Sequence, residues 1–197
     1  MEILKMNTEA PKTCFSSDYH FGHLNIIKYS KRPCQASHGE LNDWIVKQHN
    51  SVVNPQDEFY HLGDLTFYRK DQYDLIAKNV QRLNGTKHMI VGNHDDESIL
   101  RRLHHDGLIA SYQHYKELYI NKNEKIVLFH YPLYQWNKGH KGSWCLHGHC
   151  HGTFNNYTAG GKIIDVGLDA HPKKIPYTYM ELLGVMALKK PGTHHDL

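Results

Sequence analysis

His88-Met89-Ile90-Val91-Gly92-Asn93-His94-Asp95 is the most informative segment of the chain. A short run rich in apolar residues meets a glycine, and three side chains that can bind a cation or carry a proton follow at once. An apolar run of this length bounded by glycine predicts a buried β-strand. In open α/β sheets, ligands bind at the carboxyl ends of the strands. The segment therefore predicts a strand that ends in a functional site.

The same pattern occurs four more times along the chain. Strands are expected over residues 13–17, 59–62, 125–129 and 144–146 as well as 88–91, and a further strand over residues 162–166. In chain order, the polar residues that follow the five strands before residue 150 are Asp18 and His20, Asp64, Asn93 and His94, His130, and His149 and His151. Residues at i and i+2 of an extended chain face the same way, so each Asp-x-His or His-x-His pair can reach one ion. We expect five strand ends to meet at one edge.

Helical patterns separate these strands. Ser37 and Glu40 form a capping-box signature before one helix, and apolar spacing indicates further helices around residues 75–83 and 99–103. Residues 180–188 fit a last helix better than a closing strand. This alternation favours an α/β architecture. We expect one domain over residues 1–197, with a flexible tail over residues 190–197.

Composition is that of an ordinary soluble protein. The chain has 197 residues, of which 40% are hydrophobic and 22% charged, and its formal net charge is +3. This charge is too small to argue for nucleic-acid binding by itself, although it suits an anionic substrate. No apolar run has the length of a membrane helix, and the N-terminus lacks a signal-peptide core. The four cysteines form no CxxC pair, so we expect reduced thiols in a cytoplasmic protein.

The clustered polar residues predict a centre with two metal ions. The chain holds 18 histidines, and histidine is the commonest metal ligand. Seven candidate ligands follow the strands, namely Asp18, His20, Asp64, Asn93, His130, His149 and His151. Their mixed nitrogen and oxygen chemistry suits Mn²⁺, which we favour, or Fe, Zn²⁺, Co²⁺ or Ni²⁺. Because seven ligands exceed the need of one ion, we expect two ions that share a carboxylate and can lower the pKa of a water molecule.

The motifs in this order resemble those of the calcineurin-like metallophosphoesterase superfamily. They read Asp18-Tyr19-His20, Gly63-Asp64, Gly92-Asn93-His94-Asp95, His130 and Gly148-His149-Cys150-His151. The first motif continues to His23, a feature similar to that of a subgroup of small bacterial and phage phosphoesterases. The resemblance implies two mixed β-sheets packed as a sandwich with flanking helices.

The resemblance also implies a role for each matched residue. Asp18, His20 and His151 would hold the first metal ion, Asn93, His130 and His149 would hold the second, and Asp64 would bridge the two. His94 would contact the phosphate and help the leaving group to depart. Asp95 would orient His94.

Further residues are candidates for substrate binding or support. Asn93 and His94 would meet the substrate, together with His23 and Arg32, although a packing role for His23 is equally open. Trp136 either stacks on a base or belongs to an ordinary surface loop. The remaining polar candidates, His61, His147, Asp165 and Asp169, are interpreted as core, turn or supporting residues, and Cys150 as core.

The function predicted from these observations is metal-dependent hydrolysis of a phosphoester. We favour phosphodiesters of the nucleotide or cyclic-nucleotide kind, or a short nucleic acid. A phosphomonoesterase or protein phosphatase is the alternative within the enzymes. A non-catalytic, metal-dependent binding module on the same fold is the alternative outside them. Neither a membrane nor an obligate protein partner is indicated.

Overall fold

Two mixed β-sheets form the centre of the computed structural model, which describes residues 11–122, 124–153 and 161–192. The first sheet contains β1 (Thr13–Ser16), β2 (Glu58–His61), β3 (Thr86–Ile90), β4 (Ser111–Gln113) and β9 (Tyr177–Thr178). Its order is β4-β3-β2-β1-β9. β1 to β4 pair in parallel, and β9 joins β1 in the antiparallel direction.

The second sheet is also mixed. It contains β5 (Tyr115–Tyr119), β6 (Lys125–Phe129), β7 (Trp144–His147) and β8 (Lys162–Asp165), in that order across the sheet. β6, β7 and β8 are parallel, whereas β5 pairs with β6 in the antiparallel direction. The parallel strands of each sheet therefore bring their carboxyl ends to a common edge.

Five α-helices of the described residues accompany the sheets. They are α1 (Asn25–Tyr29), α2 (His38–Asn50), α3 (Tyr73–Gln81), α4 (Glu97–His105) and α5 (Tyr179–Ala187). The Ser37 side chain accepts a hydrogen bond from the Glu40 backbone N–H at the start of α2, as the capping box predicted. A full capping box of Thr178 and Glu181 begins α5. The part of the chain that the structure describes contains no candidate membrane-spanning helix.

Strand alternation divides the core into two clusters. Along β1, Cys14 packs with the apolar faces of α2, α3 and α4, whereas the next residue, Phe15, faces the second sheet. The second cluster joins Phe15 to Ile126 of β6 and Leu146 of β7, and Leu182 of α5 packs into it. β1 is thus buried on both faces. The result is the predicted sandwich of two mixed sheets with flanking helices.

The predicted elements agree with the observed ones to within two residues at strand ends. Residues 179–187 form a helix, which confirms the preference for a helix over a strand. Three short or half-exposed strands, β4, β5 and β9, were not predicted. Residues 193–197 of the expected tail lie outside the described residues.

Candidate metal centre

The candidate ligands lie in loops just after the parallel strands. Asp18 and His20 follow β1, Asp64 follows β2, and His149 and His151 follow β7. All five have a positive φ, between 47° and 69°, which residues other than glycine rarely adopt. The described residues include eight such non-glycine positions, so more than half of them are candidate ligands. Strained backbone concentrated in this way is typical of a functional site.

Asp18, His20 and His151 form the first ligand group. One ligand atom from each lies within 4.8 Å of the others. The Nε2 atoms of His20 and His151 are 3.2 Å apart, and they lie 3.9 and 3.8 Å from the Oδ1 atom of Asp18. Asp18 is fully buried. A carboxylate and two imidazoles therefore converge on one point.

Asp64, His130 and His149 form the second ligand group, with the same spacing. The Asn93 Oδ1 atom joins it, at 2.9 Å from His130 Nε2 and 3.0 Å from His149 Nδ1. The Oδ2 atom of Asp64 lies 3.6 Å from His130 Nε2 and 3.7 Å from His20 Nε2. One carboxylate oxygen thus stands between the two groups, where a bridging ligand would be needed.

Hydrogen bonds behind the ligands fix two of the imidazoles. His130 Nδ1 is 2.7 Å from the carbonyl oxygen of Leu62, and His151 Nδ1 is 2.9 Å from Asp169 Oδ2. Each Nδ1 therefore donates its proton, and each Nε2 is left to face the site. Partners of this kind orient metal-bound histidines and make them better ligands.

The donor set fits divalent cations. The Nε2 atoms of His20 and His151 face each other at 3.2 Å, so one of them carries a proton towards the other unless a cation takes the place of that proton. Among the described residues, the buried Nδ1 of His20 has no hydrogen-bond partner. Burial also raises the pKa of Asp18 to about 8, which measures how strongly the site disfavours a lone negative charge. A cation in the first group would compensate the buried charge of Asp18.

Glycines allow the loops to approach one another. A Cβ atom at Gly92 would collide with Oδ1 of Asp64, and one at Gly148 would lie 2.7 Å from Oδ2 of Asp18. Both glycines directly precede a candidate ligand, Asn93 or His149. Their missing side chains are therefore a condition for the close packing of the two ligand groups.

Comparisons with known proteins agree with this geometry. The family model for calcineurin-like phosphoesterases matches residues 12–180. The chain belongs to the calcineurin-like phosphoesterase family. It is 34% identical over 135 residues to "Uncharacterized protein MJ1445" of Methanocaldococcus jannaschii, a match that covers 68% of this chain and 66% of that protein. The chain thus spans slightly less than two thirds of this relative.

A solved structure shares the fold. The crystal structure of the protein of unknown function AQ665 from Aquifex aeolicus superposes with a TM-score of 0.66 over 89% of this chain and 100% of that one, at 22% identity. At this identity, the likeness concerns the fold alone. Membership of the calcineurin-like phosphoesterase family leaves the substrate open.

The prediction that Asp95 orients His94 is wrong for this calcineurin-like phosphoesterase. The Asp95 carboxylate accepts hydrogen bonds from the backbone N–H groups of Asp64, Leu65 and Gly92, at 2.8 to 2.9 Å. Burial raises its pKa, and these three bonds oppose that shift. Asp95 therefore holds the loop that carries Asp64 against the loop that carries Asn93. Its neighbour in sequence, His94, is not its partner.

The prediction that Arg32 binds substrate is also wrong. Arg32 is only 3% exposed. Its guanidinium makes two bonds to Asp169, of 2.8 and 3.0 Å, and donates to the carbonyl oxygens of Asp18 and Tyr19. Four of its five N–H groups are thus bonded inside the protein. Asp169, placed by sequence only in a turn or supporting role, links Arg32 to the candidate ligand His151.

His94 and His23 lie at the rim of the centre. The side chain of His94 is 45% exposed, and its Nε2 atom lies 4.0 Å from Asp64 Oδ2. The backbone N–H of His94 donates to Oδ1 of Asp64. The His23 ring stacks on the Phe67 ring at 3.9 Å. Both histidines and Phe67 line the open cleft above the ligand groups. Phe67 was missed because an aromatic residue in a loop carries no sequence signal of its own.

The remaining candidates lie behind or beside the centre. The Trp136 indole donates to the Ser143 carbonyl, and its ring packs against Gly139 and Gly161, which favours the surface-loop interpretation. His61 is fully buried. Asp165 accepts bonds from the Gly152 and Gly167 N–H groups, as expected of a turn residue. Cys150 is half-buried rather than part of the core.

Proposed function

We propose that this protein is a dinuclear metal-dependent phosphodiesterase that acts on nucleotide-type substrates. One observation carries the choice of diesters. The cleft above the ligand groups, of about 330 Å³, contains imidazoles together with the apolar or aromatic side chains of Ile26, Tyr29 and Phe67. Among the described residues, no lysine or arginine lines it.

This lining suits a diester better than a monoester. A phosphomonoester carries close to two negative charges at neutral pH, because its second pKa is about 6. Its terminal oxygens are normally met by arginine or lysine. A diester carries one charge and a second organic group, which needs an apolar surface instead. Ile26, Tyr29 and Phe67 offer such a surface next to the ligand groups.

Asp18, His20 and His151 would hold one cation, and Asn93, His130 and His149 the other, with Asp64 between them. Bound cations supply Lewis-acid chemistry and hydroxide at neutral pH. We favour Mn²⁺ because three of the seven donors are oxygens, with Fe, Zn²⁺, Ni²⁺ and Co²⁺ as competitors for the four imidazoles.

His94 would act as the proton donor. Its exposed Nε2 faces the cleft beside Asp64, and a proton there can pass to the ester oxygen as the P–O bond breaks. The backbone N–H of His94 donates to Asp64, so the backbone of His94 is fixed relative to the ligand groups. His23 would support substrate binding through its contact with Phe67.

The state of the thiols supports a cytoplasmic location. All four cysteines, Cys14, Cys34, Cys145 and Cys150, are free. Burial raises the pKa of Cys14 and of Cys145 to about 12, which leaves both unreactive. Free thiols suit the reducing cytoplasm. We therefore propose a cytoplasmic enzyme that acts without an obligate protein partner.

Turnover of matched substrates tests the proposal. Protein loaded with Mn²⁺ should hydrolyse bis(p-nitrophenyl) phosphate with a higher kcat/KM than p-nitrophenyl phosphate. His94→Ala should reduce diester turnover by about 10²-fold or more while metal content stays at the wild-type level. Faster turnover of the monoester would indicate a phosphomonoesterase. Turnover of neither ester by protein with both cations bound would indicate a binding module.

A further inference from the structure

We infer that the substrate is a single-stranded oligonucleotide, with one base stacked on Phe67 and the base across the scissile phosphate stacked on Tyr131. The inference rests on the proposed phosphodiesterase activity. It goes further by choosing among diesters: a cyclic nucleotide carries one base and cannot occupy both rings.

Phe67 offers a surface for base stacking beside the first ligand group. Its side chain is 39% exposed, although burial would stabilise a phenylalanine. One face lies on the His23 ring, at 3.9 Å and an interplanar angle of 11°. The ring centres of His20 and His94 are 5.2 and 4.6 Å away. The packing holds the ring in place while part of it remains open to the cleft.

Tyr131 stands in the same relation to the second ligand group. It is also 39% exposed, and its ring centre is 4.7 Å from that of His149 and 5.0 Å from that of His130. The Phe129 ring lies behind it at 5.8 Å. A single exposed aromatic residue on a protein surface needs no explanation. Two exposed aromatic residues at one metal centre, each beside a different ligand group, require an explanation.

The position of the phosphate follows from the ligand groups. Asp64 Oδ2 stands between His20 of the first group and His130 of the second. A phosphate held by both groups would lie between them, with Phe67 beside the first group and Tyr131 beside the second. Base stacking on aromatic side chains tolerates any sequence, because every base has a flat face.

Positive charge is available for the neighbouring phosphate. A second cleft, which borders Phe67 and His94, also contains Arg69 and Lys70. Their partners are Asp71 and Asp96, and all four side chains are between 41% and 80% exposed. Ion pairs this exposed contribute little stability. The two cations can therefore exchange a carboxylate for a backbone phosphate.

A dinucleotide with a single phosphodiester bond tests the inference, because its scissile position is known. Three substrates are compared: a deoxyadenosine dinucleotide, and its two analogues in which one base or the other is replaced by hydrogen. Phe67→Leu keeps an apolar side chain but removes the flat ring. It should lower kcat/KM for the dinucleotide by about tenfold, mainly through KM, and have little effect on one of the analogues.

Tyr131→Leu should show the same pattern with the other analogue. Tyr119→Leu is the matched control, because Tyr119 is 55% exposed but pairs with Lys125, at the end of β6 opposite to His130. Equal losses on the dinucleotide and both analogues would overturn the inference, as would a kcat/KM for 3′,5′-cyclic AMP equal to that for the dinucleotide. Hydrolysis of bis(p-nitrophenyl) phosphate without hydrolysis of the dinucleotide would overturn it too, while leaving the proposed function standing.

Discussion

Asp169→Asn should weaken both the fold and the first ligand group. Arg32 and Asp169 form a buried pair whose side chains are 0% and 1% exposed. Removing one charge of a buried pair leaves the other uncompensated, at a cost of about 3–5 kcal/mol. Arg32 keeps its bonds to two backbone carbonyls. We therefore expect a loss near the lower limit, about 3 kcal/mol in the free energy of unfolding.

The same change should reach the cation through His151. Asp169 accepts the Nδ1 proton of His151, and the amide oxygen of asparagine can replace that contact without its charge. The side-chain bond from His151 and the charge of Arg32 together lower the pKa of Asp169 despite its burial, so the carboxylate is charged at neutral pH. Mutation of such a supporting residue weakens metal binding by about 10–100-fold. Only the first group should be affected.

Two measurements decide this prediction. Urea unfolding of the protein stripped of metal by a chelator gives the stability change, and calorimetric titration with Mn²⁺ gives the two affinities. Asp71→Asn is the matched control, because it removes the carboxylate of an exposed pair with Arg69 and should cost at most about 1 kcal/mol. If Asp169→Asn costs no more than this control and leaves both affinities unchanged, the pair does not support the site.

Three more predictions follow from single positions. Gly92→Ala should destabilise the protein by about 1–3 kcal/mol, because the added Cβ atom collides with Asp64. Elemental analysis should also show a lower metal content. Gly184→Ala is the control, because the space around Gly184 is open and the change should not destabilise the protein. Asp64→Asn should lower the occupancy of both groups in the same analysis; loss from one group alone would contradict a shared ligand. Burial lowers the pKa of His49 to about 4, from 6.5, so the unfolded chain binds a proton first as the pH falls. His49 by itself should therefore lower the free energy of unfolding without metal by up to about 3 kcal/mol between pH 6.5 and pH 4, and a pH series of urea titrations on His49→Gln should be flatter there.

The strands and the candidate ligands could be predicted because their signals are local. An apolar run that ends in glycine and a carboxylate marks both the strand and the loop after it, as for β2 and Asp64. The topology then brings together residues more than a hundred positions apart, such as His20 and His151. Edge strands such as β4 and β9 were missed because they are two or three residues long and only partly buried, which leaves no periodic pattern.

Contacts between side chains could not be predicted from the same signals. Asp95 follows His94 in the chain, yet its carboxylate turns towards three backbone amides. Arg32 looked like an exposed cation, whereas a carboxylate 137 residues away keeps it buried. In both cases the partner is set by three-dimensional packing. A residue's type identified its chemistry correctly, but only the fold identified its partner.

The left-handed backbone at Asp18, His20, Asp64, His149 and His151 has an evolutionary consequence. Glycine adopts this conformation freely, so at each of these positions it would relieve strain that any other residue imposes. Selection for stability alone would therefore favour glycine at these five positions. A homologue that has lost its cations should show such replacements at these five positions first, while a homologue that keeps them should retain all five side chains. Glycine at these positions in a related sequence therefore indicates that metal binding has been lost.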